Sequence, residues 1–216
     1  MDNVKGHFIV FEGIDGSGKT TQINLLKRRI EENHFICHTT KEPTGRPVGC
    51  LLRQCLAGRV KTDELTLAAL FAADRLDHIL NDDDGLLKKL EEGISVISDR
   101  YILSTYAYQS VRVPFDWVKD LNSMAAGKIH PDCHIFIDTD PDTALERISK
   151  GRPGTELFEN KKRLTEVRKR YFELFEELKD TENIIIADGT KSIGGISDYI
   201  WENISGYFIN TREGET

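Results

Sequence analysis

Long apolar runs are missing from this sequence. None approaches the roughly 20 residues that a membrane helix requires, so no membrane-spanning helix is expected. The apolar stretch near the start, within MDNVKGHFIVF, is long enough for a strand and too short for a signal peptide, which makes the cytoplasm the expected location. Cysteine is scarce as well. Cys37, Cys50, Cys55 and Cys133 show no CxxC spacing, so reduced thiols are expected rather than disulfides or a zinc site. Positive charge is in deficit: 29 Lys and Arg stand against 36 Asp and Glu, for a net charge of −7. That balance argues against a nucleic-acid-binding surface, yet leaves room for a local basic pocket. Histidines at helical intervals fall in strand-like stretches, so no histidine metal site is expected. Repeats, low-complexity tracts and linkers are absent too. What remains, 216 residues with 39% hydrophobic and 30% charged content, is a single globular domain spanning 1–216 with a substantial core.

The most informative stretch is FIVFEGIDGSGKTTQ, from Phe8 to Gln22. Ile9, Val10 and Phe11 read as the end of a buried parallel strand, and Lys19, Thr20 and Thr21 open the amphipathic helix that continues through INLLKRRI. The spacing Gly13, four residues, Gly18, Lys19, Thr20 is the full phosphate-loop pattern. Gly13, Ile14, Asp15, Gly16, Ser17, Gly18, Lys19, Thr20 and Thr21 are therefore expected to bind ATP. Backbone N–H groups and the positive end of the helix converge there on an anion. Lys19 would reach the β and γ phosphates, and the Thr20 hydroxyl would ligate Mg²⁺.

Downstream, FICHTT, ISVISDR, CHIFID and ENIIIADGT read as further strands alternating with helices. One helix, from about Asp63 to Leu80 with Thr62 as its cap, places Phe71 and Arg75 four residues apart on one face. Such alternation predicts an α/β fold of three layers, α/β/α, around a five-stranded parallel sheet. Ligands of such sheets gather at the carboxyl ends of the strands, where the phosphate loop, Glu42, Asp99 and Arg100 would all lie. Asp99 closes an apolar strand and is the carboxylate expected to steer Mg²⁺.

Taken together, FIVFEGIDGSGKTTQ, KEPTG, LFAADR, SDRYILSTYAYQ and PDCHIFIDTDPDTALERI resemble the thymidylate kinase family of P-loop nucleoside monophosphate kinases over nearly the whole chain. The resemblance implies a fold of P-loop kinase type with a short lid at about 147–159, and a dTMP site. In that site Phe71 would stack on the base and Arg75 would hydrogen-bond its carbonyl. Ordinary core packing and a solvated helix face are the alternatives for these two. Asp15 would lie near the sugar 3′-hydroxyl and the metal shell, and Arg100 and Arg53 would hold the 5′-phosphate, with a salt bridge as the rival role for each. Ser104 and Thr105 would sit at the pyrimidine edge, Tyr108 would crowd the ribose 2′ position and Gln109 would touch the acceptor; alternatively, Ser104 caps a polar helix start. A homodimer is also implied.

Two features depart from the family pattern. Gly16 stands where some members carry an arginine inside the phosphate loop, and Leu157 stands where a lid arginine is usual. Arg147 and Arg152, with Lys150 nearby, are the expected lid cations. The implied reaction is Mg²⁺-dependent transfer of the γ-phosphoryl group of ATP to dTMP, giving dTDP for dTTP synthesis, with Lys19, Arg100, Arg147, Arg152 and Asp15 as catalytic groups. The rivals are a kinase of another nucleoside monophosphate or a deoxynucleoside, and a non-catalytic nucleotide switch. The sequence has no NKxD tetrapeptide for reading guanine.

Overall fold

A computed structural model of the protein describes residues 5–151 and 161–208. Five parallel strands, β1 (Phe8–Glu12), β2 (Cys37–Lys41), β3 (Ser95–Asp99), β4 (Cys133–Asp138) and β5 (Ile184–Asp188), form one sheet in the order β2-β3-β1-β4-β5. The first strand is thus the centre. All five residues of β1 are buried, as a near-continuous apolar strand covered on both faces must be.

Successive β1 side chains face opposite layers. Ile9 and Phe11 join a core with residues of α1 (Lys19–Glu32) and α9 (Ile193–Ile204). Phe8 and Val10 pack on the other side with residues of α2 (Pro47–Leu56), α3 (Glu64–Leu80), α5 (Ile102–Gln109) and α8 (Lys161–Leu178). The remaining helices are α4 (Leu86–Glu91), α6 (Phe115–Ala126) and α7 (Pro141–Gly151), and a short 3₁₀ turn, Ser205–Phe208, follows α9. The three-layer α/β/α arrangement is the one the alternation predicts, and its P-loop kinase type is the one the resemblance implies. Register sets the site: Phe11 of β1 is paired with Asp99 of β3, and Asp99 with Lys41 of β2, so three strand ends open on one edge.

Local differences have plain causes. The cap of α3 is Asp63, not Thr62: its carboxylate accepts from the Thr66 N–H at 2.9 Å and from the Thr66 hydroxyl at 2.7 Å. Ser104 is no cap either, because α5 begins at Ile102 behind Tyr101, which makes no side-chain cap bond. Lys150 and Gly151 belong to the last turn of α7, so the helix runs into the stretch expected to be lid. Arg152, and Glu156 to Asn160 at the expected start of α8, lie outside the described residues.

Candidate active site

The N-cap of α1 is Gly18, which has no side chain to cap the helix, so the first amides are left for another acceptor. The loop before it turns on left-handed backbone. At Gly16, with φ of 80°, an added Cβ would come within 2.3 Å of the Ala144 carbonyl oxygen. A side chain at this position does not fit unless the loop or α7 shifts. The Lys19 ammonium folds back and donates to the carbonyls of Gly13 at 3.1 Å and Ile14 at 3.2 Å, and lies 4.0 Å from Asp99 Oδ1. Burial, followed by the charge of Arg100, lowers the pKa of Lys19 against the opposing pull of Asp99, Asp15 and Glu12.

Around this loop lies a cavity of about 630 Å³, lined by Asp15 through Gln22, Asp99, Arg100, Arg147 and the start of α9. Gly13 and Ile14 shape the loop from behind without lining it. Arg147, on α7, donates to the Ser17 carbonyl at 3.2 Å and the Gly189 carbonyl at 3.0 Å, bridging the phosphate loop to the turn after β5.

A second, narrower crevice of about 90 Å³ opens beside it. Its lining unites Asp15, Phe71, Arg75, Arg100, Ser104, Thr105, Tyr108 and Gln109, with Glu42, Pro43, Leu56 and Tyr101 added. Arg53 is the exception. Its guanidinium is turned onto the Thr44 and Pro43 carbonyls and the Cys50 sulfur, and does not line the crevice.

Arg75 is buried rather than solvated. Its Nε and Nη2 donate to Glu42 Oε2 at 3.0 and 2.7 Å, Nη2 also to the Tyr101 carbonyl at 3.1 Å and Thr105 Oγ1 at 2.8 Å, and Nη1 to Asn122 Oδ1. Nη1 carries two of the five guanidinium N–H donors and, among the described residues, bonds only Asn122, so its second donor can serve the crevice. Gln109 is 1% exposed, and neither polar atom of its amide has a hydrogen-bond partner among the described residues. Such a group fits a ligand edge that can both donate and accept.

Glu42 anchors Arg75 and also meets His78 Nδ1 at 3.1 Å. Burial pushes the Glu42 carboxyl up, but Arg75 and His78 together hold it below its ordinary value of 4.5. A carboxyl depressed in this way stabilises the fold above its unfolded pKa, and that contribution is lost as pH falls through the folded value. Glu42→Ala is expected to cost about 3–5 kcal/mol at neutral pH, because it strands a buried guanidinium, and to flatten the loss of stability below pH 4.5. Urea unfolding across pH checks both; an unaltered acid limb would refute the pairing.

Arg100 and Asp15 line both cavities. Arg100 follows β3 with φ of 79°, a left-handed backbone unusual for a bulky residue and held by its N–H donating to the Phe11 carbonyl at 2.9 Å. Its side chain donates to Asp15 Oδ1 at 2.5 Å, Ser104 Oγ at 3.0 Å and Tyr108 Oη at 3.2 Å, and sits 4.8 Å from the Tyr108 ring centre. Desolvation works to raise the Asp15 pKa, yet Arg100 and Lys19 bring it below the usual carboxylate value.

Two crevices that meet at one arginine and one carboxylate, one of them built on a phosphate loop, are the layout of a P-loop nucleotide kinase. The family profile "Thymidylate kinase" matches residues 11–200. A probable thymidylate kinase of Methanocaldococcus jannaschii is 38% identical over 211 residues, 97% of this chain and 98% of that one. Thymidylate kinases of Acholeplasma laidlawii and Caldicellulosiruptor saccharolyticus are 37% and 41% identical, covering 91% and 71% of this chain and 98% and 75% of their own. The chain belongs to the thymidylate kinase family.

Proposed function

We propose that the residues above perform the family's reaction, transfer of the γ-phosphoryl group of ATP to the 5′-phosphate of dTMP to give dTDP and ADP. The observation that carries this reading is the shared wall: Arg100 and Asp15 border both cavities, so an anion in each would meet between them. The larger cavity takes ATP, with its phosphates on residues 13–21. Thymine enters the narrow crevice between Phe71 and the polar edge of Arg75, Thr105 and Gln109. Leu56 and Pro43 line the same crevice and give it apolar surface. Tyr108 excludes a ribose 2′-hydroxyl, and Asp15 meets the 3′-hydroxyl.

The attacking atom is an oxygen that is already anionic, so no general base is required. Catalysis consists of holding donor and acceptor in line and neutralising charge as it spreads over the transferring oxygens. Lys19, Arg100, Arg147 and Arg152 share that neutralisation. Arg53 reaches the acceptor phosphate only by leaving its carbonyl partners.

Mg²⁺ fits the donor set. Thr20 is exposed at the head of α1, and Asp99 Oδ1 is buried without a hydrogen-bond partner among the described residues. A hydroxyl and a carboxylate, completed by phosphates and water, suit this ion, whose bound charge would offset that of the β and γ phosphates. No helix among the described residues is long and apolar enough to cross a membrane, and a cytoplasmic enzyme is the reading we adopt. A homodimer through α2, α3 and α6 is supported by Leu51, Leu65, Trp117 and Met124, large apolar side chains that these helices leave exposed.

The test compares dTMP, dUMP, dCMP, AMP and thymidine as acceptors for the wild type and Phe71→Ala. dTMP should be turned over fastest, and the substitution should raise its KM by about tenfold or more with the ATP KM nearly unchanged. Faster turnover of thymidine than of dTMP would overturn the assignment. ATP binding without any dTDP would revive the switch.

A further inference from the structure

The helix that forms the acceptor wall, α5, begins without a capping side chain of its own. An anion reaches its first turn from the neighbouring strand instead. Glu12, the last residue of β1, is 0% exposed. Its Oε1 accepts from the backbone N–H groups of Tyr101 at 3.1 Å and Ser104 at 3.3 Å. Its Oε2 accepts from the Tyr171 hydroxyl at 2.8 Å and from the Ser104 hydroxyl. A buried carboxylate is costly unless hydrogen bonds offset its lost hydration, and a helix N-terminus is where negative charge is favoured.

The placement has a reason in the strand. Glu12 follows Phe8 and Val10 at the two-residue period, so it faces the layer that holds α5 and α8. An apolar side chain would have continued that core. The carboxylate lines neither cavity, yet it sits at the root of the phosphate loop and its bonds reach the start of α5, part of the acceptor wall, and α8 behind it. The phosphate loop starts at the next residue, Gly13. Tyr101 and Ser104 open the helix that carries Thr105, Tyr108 and Gln109. Tyr171 belongs to α8. Ser104 Oγ, held by Glu12 and 2.8 Å from the Tyr171 hydroxyl, in turn accepts from Arg100 Nη1 at 3.0 Å.

We infer that Glu12 is a positioning residue for phosphoryl transfer: it fixes the start of α5 and, through Ser104, the Arg100 guanidinium, keeping the acceptor wall aligned with the phosphate loop. The inference rests on the reading of the site as one for dTMP phosphorylation. A residue that only stabilised the fold would, when replaced, impair both substrates alike. A positioning residue of this kind acts on the acceptor side, because β1 and the loop are held by the sheet while α5 and Arg100 lose their tether.

The experiment combines steady-state kinetics for both substrates with calorimetric titration of dTMP in the absence of ATP. Glu12→Gln should raise the KM and Kd for dTMP about tenfold and lower kcat by a similar factor, with the ATP KM changed by no more than about twofold. In an Arg100→Lys background the same substitution should have less than about a third of that effect on dTMP affinity, since the two groups act in series. Equal losses for both substrates, no loss, or full additivity would overturn the inference. If Glu12→Gln does not fold, Tyr171→Phe removes one of the bonds that hold the carboxylate, from a residue that lines neither cavity. A dTMP-selective loss of about threefold or more would then support the inference, and its absence would overturn it. Failure of the underlying reading would show separately, as a wild type that neither binds dTMP nor forms dTDP.

Discussion

Replacing Lys19 with alanine is expected to lower kcat by about three orders of magnitude while leaving the folded protein at least as stable as before. Both halves follow from the environment of the ammonium. It is 6% exposed, bound to two backbone carbonyls of its own loop and placed beside Asp99, so it waits as a fixed cation where transferred phosphate would carry its charge. Burial also holds its pKa below the ordinary 10.5, so the charged form is disfavoured in the folded state. The sign is then determined. A lysine with a depressed folded pKa detracts from stability below that pKa, and the penalty lifts as pH rises through it. Removing the side chain removes the penalty. Stopped-assay turnover and thermal unfolding measure the two parts; unchanged kinetics would take Lys19 out of the phosphate site, and a large drop in Tm would mean that it builds the loop instead.

Arg100→Ala should lower kcat/KM for dTMP by about a thousandfold, and Arg100→Lys should recover only a small part of it. Charge alone is not what the site uses here. The guanidinium serves Ser104 from one nitrogen and Asp15 and Tyr108 from another, a spread that the compact ammonium of lysine does not reproduce. The acid side of the pH–rate profile gives an independent reading. Desolvation is already pushing the Asp15 pKa up, and Arg100 is the first of the groups that bring it below 3.8. With that cation gone, the Asp15 pKa must rise, and the acid limb of the profile must move to higher pH. A limb that stays in place while activity falls would separate Arg100 from Asp15 in function.

Much of the site was legible because phosphate chemistry constrains local sequence. Glycine spacing before Lys19 and Thr20, and the end of an apolar strand at Asp99, are local patterns that name their own location. Strand order was not legible, since the placing of β3 rather than β2 beside β1 is a long-range choice with no local mark. Arg75 shows a different gap. Helical period puts it on a face with charged neighbours and suggests solvent, whereas Glu42 and Asn122, 33 and 47 residues away, bury it. Arg53 was expected at the acceptor phosphate and is instead drawn to nearby carbonyls. Glu12 passed unnoticed as the residue before the first glycine. The available signal was a carboxylate closing a strand that is otherwise wholly apolar.

The loop from Glu42 to Arg46 is gripped by one helix along its length. Asp74 of α3 takes the Thr44 N–H at 2.8 Å and its hydroxyl at 2.5 Å, Arg75 and His78 hold Glu42, and Asp77 holds Arg46 at 2.6 Å. Loop and helix therefore form a single jaw. Under the function proposed above, the crevice that admits the base has this braced unit as one wall and α5 as another, so a change in its width would require loop and helix to move together.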